Sequence, residues 1–432
     1  MVKFFLPDWN DKVDPGFDFQ ADEFTPNRDV SEDVYAHEIF EKAPYSGILV
    51  SRAVAQKSKS RYQELLEKGS RKFFRVPEGM EVFGDCGAFS YVNDREPRYQ
   101  TEDVLEYYDA IGVDYGASVD HLVVNTIYVT ESVKEEQEDG SVVVKQKKRK
   151  KKMTEEECER RIELTLQNAN EFLRLHKKQG HEFIPVGVAQ GWSPSTYADS
   201  VERLLKMGYV YIALGGLARS SSSAILDILK AAEEAKKESA GRDPSEVRLH
   251  LFGVAKMDLL DKLAKYGVAS TDSASYLRKA WLRSGQNYLA PDGKWYAAIR
   301  VPQSDHYRVR RYIKNNGKSL EEAEQQERRV LRTLQEYSDK GLSSDKLEDL
   351  LDAVITYDGY MLRDGDDGRS LRKKGISYKK YRRTLEAKPW EDCPCEVCQR
   401  LGVHVAIFRG TNRNKRRGFH NTWTFFRRLR QS

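Results

Sequence analysis

The sequence predicts an α/β fold in which about eight strand–helix units close into a (β/α)8 TIM-type barrel. Up to about residue 280, short runs rich in β-branched and aromatic residues alternate with amphipathic stretches. This alternation calls for a parallel sheet, and about eight repeats favour a closed barrel. The predicted strands are residues 2–7, 47–53, 82–85, 117–124, 183–189, 210–214, 249–254 and 268–271.

The stretches between several of these strands predict the crossover helices of the barrel. Apolar residues recur at helical spacing in residues 195–207, 222–238 and 256–266. After about residue 287 the alternation gives way to charged helical segments such as residues 320–340. We therefore expect a catalytic barrel over residues 1–286. Residues 287–432 are expected to form an appended subdomain that is helical, basic and zinc-binding.

One inserted segment interrupts the alternation after the fourth predicted strand. Residues 132–157 have the pattern of a hairpin, with an acidic turn followed by a run in which seven of the eight residues 145–152 are basic. Such a run is typical of a contact to a phosphate backbone, although a solvated loop is the alternative interpretation. The predicted nucleic-acid contacts are Lys147, Lys148, Arg149, Lys150, Lys151 and Lys152.

The composition excludes a membrane protein and points to a polyanionic partner. Charged residues make up 32% of the chain, the mean hydropathy is −0.69, and no apolar run approaches the roughly 18 residues of a membrane span. The N-terminus lacks the layout of a signal peptide, so we expect a cytoplasmic protein. The net charge of +5 is modest, but residues 400–432 form a second basic cluster, with nine Lys or Arg and no acidic residue.

The cysteines predict a metal site. Three of the five cysteines, Cys393, Cys395 and Cys398, fall within six residues, and His420 follows after a gap of 21. Three thiolates and one imidazole are the ligand set of a structural zinc site, and disulfides are rare in the cytosol. His404 is the rival fourth ligand, but its short distance from Cys398 along the chain makes it the less favoured one.

Polar residues at the ends of predicted strands indicate an active site at one face of the barrel. Asp85, Asp120 and Asp272 are carboxylates at or near strand ends, and Gln190 adds an amide. In a parallel barrel these positions meet at the carboxyl-terminal face, where active sites form. A strand-end Asp is often only a turn or helix-capping residue. Several together, with two glycines at 215–216, indicate a pocket for a nucleobase and a carboxylate nucleophile.

The same segments resemble the tRNA-guanine transglycosylase superfamily, over residues 84–278 and 393–421. The family pattern Asp-Ser-Gly-Gly-Phe is similar to residues 85–89, and Gly-Gly-Leu-Ala matches residues 215–218 letter for letter. The family's nucleophile segment, with an Arg six residues after the Asp, is similar to Asp272 and Arg278. Its zinc pattern of three cysteines and a distant His-Asn is similar to the cluster that ends at His420-Asn421.

The resemblance implies a base-exchange reaction on nucleic acid with structural zinc as the cofactor. Asp272 would attack the anomeric carbon and expel guanine, and Asp85 would act as the general base toward the incoming base. The implied substrate-binding residues are Asp120, Gln190, Gly191, Gly215, Gly216, Leu217, Cys86, Phe89 and Arg278.

Two departures from the family pattern bear on the pocket. Cys86 and Ala88 replace the family's Ser and Gly, which changes the pocket floor. Residues 219–222 (RSSS) stand where bacterial tRNA enzymes carry an acidic residue thought to favour a cationic aminomethyl base. Without that acid, we expect a neutral incoming base such as 7-cyano-7-deazaguanine.

The polymer substrate is expected to be DNA. Residues 85–91 (DCGAFSY) and 118–122 (SVDHL) are most similar to the branch that inserts a 7-deazaguanine into DNA. A tRNA substrate is the runner-up, and a catalytically inactive barrel that binds nucleic acid is the alternative from another class. An ordinary glycoside hydrolase is disfavoured because a zinc cluster has no place in its chemistry. A helicase or ATPase that opens the duplex is a further candidate partner, and the sequence leaves the oligomeric state open.

Overall fold

The chain packs into two compact units. Their structure is a computed structural model that describes residues 1–136, 142–239, 243–282, 285–340, 344–361 and 367–432. The first unit comprises Met1–Trp9, Ser46–Ser273 and Ser432, and the second comprises Asn10–Tyr45 and Ala274–Gln431. The division at residue 286 stays a prediction about domains.

The first unit is a closed barrel of eight parallel strands, which confirms the predicted fold class. Each strand pairs with its neighbours in sequence, and the last strand pairs with the first to close the barrel. Parallel pairing brings the carboxyl ends of all eight strands to one rim. The strands are β1 (Lys3–Pro7), β2 (Gly47–Ser51), β3 (Glu81–Asp85), β4 (Tyr115–Ala117), β5 (Ile184–Ala189), β6 (Tyr211–Leu214), β7 (Arg248–Leu251) and β8 (Val268–Asp272).

Side chains fill the barrel interior, so the strands enclose a packed core rather than a channel. Phe83 is fully buried there, and its ring packs edge-on against Phe5 with centroids 5.4 Å apart. Tyr115 and Tyr211 meet in a T-shaped contact at 5.4 Å. These inward residues alternate along their strands, as barrel packing requires. The interior cluster consists of Phe5, Leu49, Phe83, Tyr115, Ala117, Val186, Val188, Tyr211 and Ala213.

The fourth strand ends earlier than the predicted range of 117–124. Ser118 still donates its backbone N–H to the Val186 carbonyl at 2.9 Å. At the next step, however, the Val188 N–H donates to the Ser118 hydroxyl oxygen at 3.1 Å instead of to a backbone carbonyl. A side chain thus replaces the ladder bond, and the following residues, including Asp120, leave the strand as a buried loop.

Helices cross over on the outside of the barrel between successive strands. The predicted helix over 222–238 is observed within those bounds, the one over 195–207 begins one residue earlier, and residues 256–266 form a short α-helix between two 3₁₀ turns. The helices of this unit are Arg52–Ala55, Lys59–Phe73, Thr101–Ile111, Glu155–Gln179, Pro194–Met207, Ser222–Glu238 and Leu260–Leu263.

The basic run lies on an antiparallel hairpin that follows β4. Its strands are Thr126–Glu136 and Val142–Lys152, so pairing begins before residue 132, and the tip at 137–141 lies outside the described residues. The end of the predicted range, from Glu155, instead opens a helix. Thr154 caps this helix by accepting the Glu157 N–H, and the acidic first turn suits the positive end of the helix dipole.

The second unit is mainly helical and contains the cysteine cluster. Its predicted helix over 320–340 is observed as Leu320–Lys340, and none of the described helices of either unit could cross a membrane. Two short two-stranded sheets, Tyr288–Leu289 with Trp295–Tyr296 and Ile299–Arg300 with Ile407–Phe408, complete the unit. Its helices are Ala36–Ile39, Ser275–Lys279, Tyr307–Asn315, Leu320–Lys340, Ser344–Tyr360, Asp367–Ala387, Glu396–Leu401 and Gly410–Gln431.

The basic C-terminal cluster is only partly buried. Arg409, Arg413, Arg416 and Arg417 are buried, whereas Arg400, Arg427 and Arg430 are exposed, so the contact to a polyanion stays a prediction for the exposed ones. Arg409 forms salt bridges with Asp22 at 2.7 Å and with Glu327 at 2.5 Å. Arg413 pairs with Asp22, and Arg417 donates to the carbonyls of residues 405, 407 and 280. Most of the N–H groups of these arginines are paired inside the unit, where an unpaired charge would be costly. Among the described residues, the Nε atoms of Arg413 and Arg417 have no hydrogen-bond partner.

Candidate active site and metal centre

The strand-end residues of the first unit meet at one rim of the barrel. Asp85 is the last residue of β3 and Asp272 the last of β8, while Gln190 follows β5 directly. The charges of Asp120 and Asp272 both act on Asp85, which puts the predicted carboxylates within electrostatic reach of one another. The predicted cluster therefore forms at the carboxyl-terminal face, where barrel active sites lie.

Asp85 is the carboxylate whose proton affinity is most changed. Burial, with the negative charges of Asp120 and Asp272, raises its pKa to about 7 against the opposing effect of the Gly87 N–H. A carboxyl group with a pKa near neutrality can both give and take a proton, which is what general acid–base chemistry needs.

Asp120 is held by two side-chain donors on the buried loop after β4. The Gln190 amide donates to Oδ2 at 2.7 Å and the Cys86 thiol donates to Oδ1 at 3.2 Å. Burial raises the pKa of Asp120 to about 6, and these two bonds hold it below the value that burial alone would give. The carboxylate is therefore mostly ionised at neutral pH, and each of its oxygens can accept one further bond.

Cys86 helps to hold the loop that carries Asp120. Its sulfur lies 3.0 Å from the Tyr91 hydroxyl, which in turn donates to the Asp120 carbonyl at 3.1 Å. Burial raises the pKa of the Cys86 thiol well above its usual value, so it stays protonated and acts as a donor. The two family departures at 86 and 88 thus lie in a buried, fully packed floor.

Gln190 and the two glycines after β6 form the next part of the rim. Gln190 accepts the Val123 N–H at 3.3 Å, so its amide orientation is fixed from both ends. A Cβ on Gly215 would lie 2.1 Å from Gln190 Nε2, so only glycine fits there. Gly216 has a φ of +77°, a conformation that glycine adopts without strain. Because it has no side chain, its backbone lies directly beside the Gln190 amide.

Asp272 is held through one of its two oxygens. The Gly253 N–H donates to Oδ1 at 2.8 Å, and His250 Nε2 lies 3.3 Å from the same atom. No described residue is hydrogen-bonded to Oδ2. The carboxylate therefore has one anchored oxygen and one that is available for chemistry.

His250 connects Asp272 to the barrel core and was missed by the sequence analysis. Its Nδ1 lies 2.6 Å from the Ser270 hydroxyl, which is also bonded to the Tyr211 hydroxyl. The imidazole stacks on Phe83 with centroids 4.5 Å apart and is fully buried. A lone His within the apolar run of β7 carries no sequence signal other than its contrast with its neighbours.

The remaining predicted substrate residues occupy different settings. Gly191 and Leu217 are buried beside Gln190 and Gly216, whereas Phe89 is 64% exposed on the turn after β3. Arg278 is exposed on the short helix Ser275–Lys279, which belongs to the second unit.

The predicted metal ligands come together inside the second unit. The ligand atoms of Cys393, Cys395, Cys398 and His420 all lie within 4.8 Å of one another, and all four residues are buried. His420 Nδ1 is 3.3 Å from the sulfurs of Cys395 and Cys398 and 3.6 Å from that of Cys393. Sulfur and nitrogen ligands of a tetrahedral zinc ion would be about 3.5 Å apart. The cluster could therefore hold such an ion.

The surroundings of the cluster also suit a metal. His420 Nε2 lies 2.8 Å from the Leu289 carbonyl, which makes Nε2 the protonated nitrogen and turns Nδ1 toward the thiols. Tyr288 stacks on the imidazole at 4.3 Å, and its hydroxyl lies 3.3 Å from the Cys398 sulfur. The rival ligand His404 lies elsewhere, with its Nδ1 3.5 Å from Arg413.

Comparison with known proteins places this architecture in a family. No protein-family model matches the chain. It is 36% identical to a DNA-guanine transglycosylase of Salmonella montevideo over 439 residues, which cover 99% of this chain and 96% of the relative. At that identity over nearly the full length of both proteins, the chain is a glycosyltransferase-type enzyme and belongs to the DNA-modifying branch of the tRNA-guanine transglycosylase superfamily.

Proposed function

We propose that this enzyme exchanges guanine in DNA for a 7-deazaguanine base, 7-cyano-7-deazaguanine, through a covalent intermediate on Asp272. The observation that carries the proposal is the asymmetric anchoring of Asp272, whose Oδ1 is bonded while Oδ2 remains available at a rim shared with Asp85. The name of the Salmonella relative supports DNA as the polymer.

The first half of the reaction breaks the glycosidic bond. Asp272 Oδ2 attacks C1′ of the target nucleotide, and the bond from C1′ to guanine N9 breaks as the ester bond forms. The electron pair of that bond leaves with guanine, and Asp85, protonated part of the time near neutral pH, supplies a proton to the departing base. A covalent ester divides one difficult displacement into two easier ones.

The second half reverses these steps with a different base. Asp85, now ionised, takes the N9 proton of the incoming base, whose N9 attacks C1′ and displaces the Asp272 carboxylate. Two displacements at the same carbon retain its configuration. A pKa near 7 suits Asp85 to both half-reactions, because its protonated and its ionised forms are both well populated near neutral pH.

Recognition of the base is assigned to the residues around Asp120. The ionised carboxylate would accept from the N–H groups on the purine edge, and the Gln190 amide fixes that carboxylate in position. The backbone at Gly216 and Leu217 would meet the base carbonyl, and Phe89 offers an exposed ring for stacking. Residues 219–222 offer hydroxyls and one Arg but no acid, which favours a neutral substituent on the incoming base.

The hairpin is the proposed contact to the phosphate backbone. Lys148, Lys150 and Lys152 pair directly with Thr130, Tyr128 and Thr126, so the three lysines share one face of the hairpin. All three are exposed, as are Arg149 and Lys151 of the opposite face. Exposed Tyr128 lies among the lysines and could stack on a base. The target nucleotide must leave its stack to reach the barrel rim, and a helicase or ATPase that opens the duplex remains a predicted partner.

The base exchange itself is the first test. Purified enzyme is incubated with guanine-containing DNA and 7-cyano-7-deazaguanine, and the digested nucleosides are analysed by mass spectrometry. We expect the deazaguanine deoxynucleoside, with Asp272→Asn lowering its formation at least about 10³-fold because the nucleophile is lost. The aminomethyl base should be incorporated less efficiently than the cyano base.

Parallel reactions with tRNA separate the alternatives. Product only from tRNA would move the substrate to the runner-up, and product from neither polymer would support an inactive nucleic-acid-binding barrel. Efficient exchange by Asp272→Asn would contradict the covalent mechanism.

The raised pKa of Asp85 predicts a pH-dependent stability. Its folded-state pKa of about 7 exceeds the model-peptide value of 3.8, so the folded protein holds a proton that the unfolded chain has lost. That contribution is complete at low pH and is lost as pH rises to about 7. Asp85→Asn should therefore be more stable than the wild type at about pH 8, with the difference shrinking toward about pH 4. Urea unfolding of both proteins across this range measures it, and a constant difference would refute the assignment.

Zinc in the cysteine cluster is tested by metal content. Cys395→Ser should lose the one zinc ion per chain detected by mass spectrometry and should unfold at lower temperature, because a structural metal contributes folding energy. Cys158→Ser is the control, since Cys158 is also buried but is not one of the four clustered residues and belongs to the first unit. Equal zinc content in both variants would argue against the site.

The hairpin is tested by the salt dependence of DNA binding. Neutralising Lys148, Lys150 and Lys152 to Gln should flatten the plot of log affinity against log salt by about 0.9 for each phosphate that the lysines no longer neutralise. Binding measured by fluorescence anisotropy over a range of salt concentrations gives the slope.

The matched control removes the same charge from the opposite face of the barrel. Lys177, Lys178 and Lys206 are exposed near the ends of helices that lead into the amino ends of β5 and β6. Their triple change to Gln should leave the slope unchanged. Equal slopes in both variants would favour the alternative interpretation of the basic run as a solvated loop.

A further inference from the structure

A directional hydrogen-bond chain leads from the barrel core to the anchored oxygen of Asp272. His250 can donate to a carboxylate only through a protonated Nε2, which lies 3.3 Å from Oδ1. In the neutral imidazole Nδ1 is then an acceptor, so the Ser270 hydroxyl at 2.6 Å donates to it. The Ser270 oxygen accepts in turn from the Tyr211 hydroxyl, its other partner.

The start of this chain stays protonated. Burial raises the pKa of Tyr211, so its phenol remains a donor throughout the working pH range. Every donor in the series then points toward Asp272, and the tautomer of His250 is set by Ser270.

Packing holds the imidazole in this orientation. The ring stacks on Phe83 and meets Phe252 edge-on, with centroids 4.5 Å and 4.6 Å away. The register between β7 and β8 shifts between Val268 and Ser270, so that Ser270 lies opposite His250. This pairing places the Ser270 hydroxyl beside Nδ1.

We propose that His250 is the positioning residue of the nucleophile, oriented by Ser270 and Tyr211. Together with the Gly253 N–H it holds Asp272 Oδ1 and directs Oδ2 toward C1′. The inference rests on the proposed function, because it assumes that Asp272 forms the glycosyl ester. The second donor also stabilises the carboxylate charge that returns when the incoming base breaks the bond from C1′ to Oδ2.

The test compares two replacements of His250. His250→Phe keeps an aromatic ring on Phe83 but removes both nitrogens, whereas His250→Gln retains a side-chain N–H at a comparable distance from the backbone. In single-turnover reactions with DNA, the ester is quantified after denaturation. We expect His250→Phe to slow ester formation about 10²-fold, the effect of losing one preorganised donor. His250→Gln should recover most of that loss, and the KM for the incoming base should change little.

Ser270→Ala gives an independent measurement if His250→Phe folds poorly. It leaves the ring in place but frees its tautomer, so a smaller loss of ester formation is expected at unchanged zinc content. Wild-type rates in both His250→Phe and Ser270→Ala would overturn the inference. So would equal losses in the Phe and Gln variants, since that pattern indicates a purely structural ring.

A failure of the proposed function would look different. If Asp272→Asn forms as much ester as the wild type, the nucleophile is wrongly assigned, whatever the His250 variants do. If Asp272→Asn is inactive and the His250 and Ser270 variants behave like the wild type, only the positioning role is wrong.

Discussion

The clustering of Asp85, Asp120 and Asp272 at one rim of a closed barrel, where Asp120 and Asp272 are buried and Asp85 is half-buried, is the constraint on which the rest of the site depends. Like charges close together and away from water repel one another, and each needs a donor or a proton to remain there. Each of the three carboxylates is stabilised in a different way. Asp120 receives two side-chain donors, Asp272 a backbone N–H and a histidine, and Asp85 an elevated pKa.

These differences separate the proposed roles. A carboxylate with donors on both oxygens is fixed in place, which suits recognition of a base edge. One held through a single oxygen keeps a lone pair for bond formation, and one with a pKa near 7 exchanges protons readily. All three residues are aspartates, so residue type alone does not distinguish their roles. The hydrogen-bond partners of each carboxylate oxygen do.

Much of this arrangement could be predicted from the sequence because it follows from local pattern and from barrel closure. The eight apolar runs correspond to eight strands, and the parallel order then required Asp85, Gln190 and Asp272 to meet at the same rim. The metal ligands could also be predicted from the sequence, because cysteines this closely spaced are typical of a metal site. Of the two candidate histidines, His420 rather than His404 joins the cluster.

The parts that could not be predicted depend on tertiary pairing. The fourth strand ends at Ala117 because a serine hydroxyl replaces a backbone acceptor, which no propensity records. Two residues of the basic C-terminal cluster, Arg409 and Arg413, form salt bridges with Asp22, which lies hundreds of positions earlier in the chain, and no local pattern predicts that pairing. The role of His250 could not be predicted from the sequence for a related reason, because its contact with Asp272 depends on a register shift in the neighbouring strand.

The position of His250 suggests why the proposed nucleophile is held from the barrel core as well as by the Gly253 N–H at the rim. In the proposed reaction, donors at the rim would also contact the base and the nucleotide. A donor chain that begins at Tyr211, inside the packed barrel, would keep its geometry as substrates bind and leave, because a close-packed interior cannot rearrange without loss of packing. In the proposed mechanism the barrel core would therefore contribute to the chemistry, by holding one oxygen of Asp272 in place while the other forms and breaks its bond with the sugar.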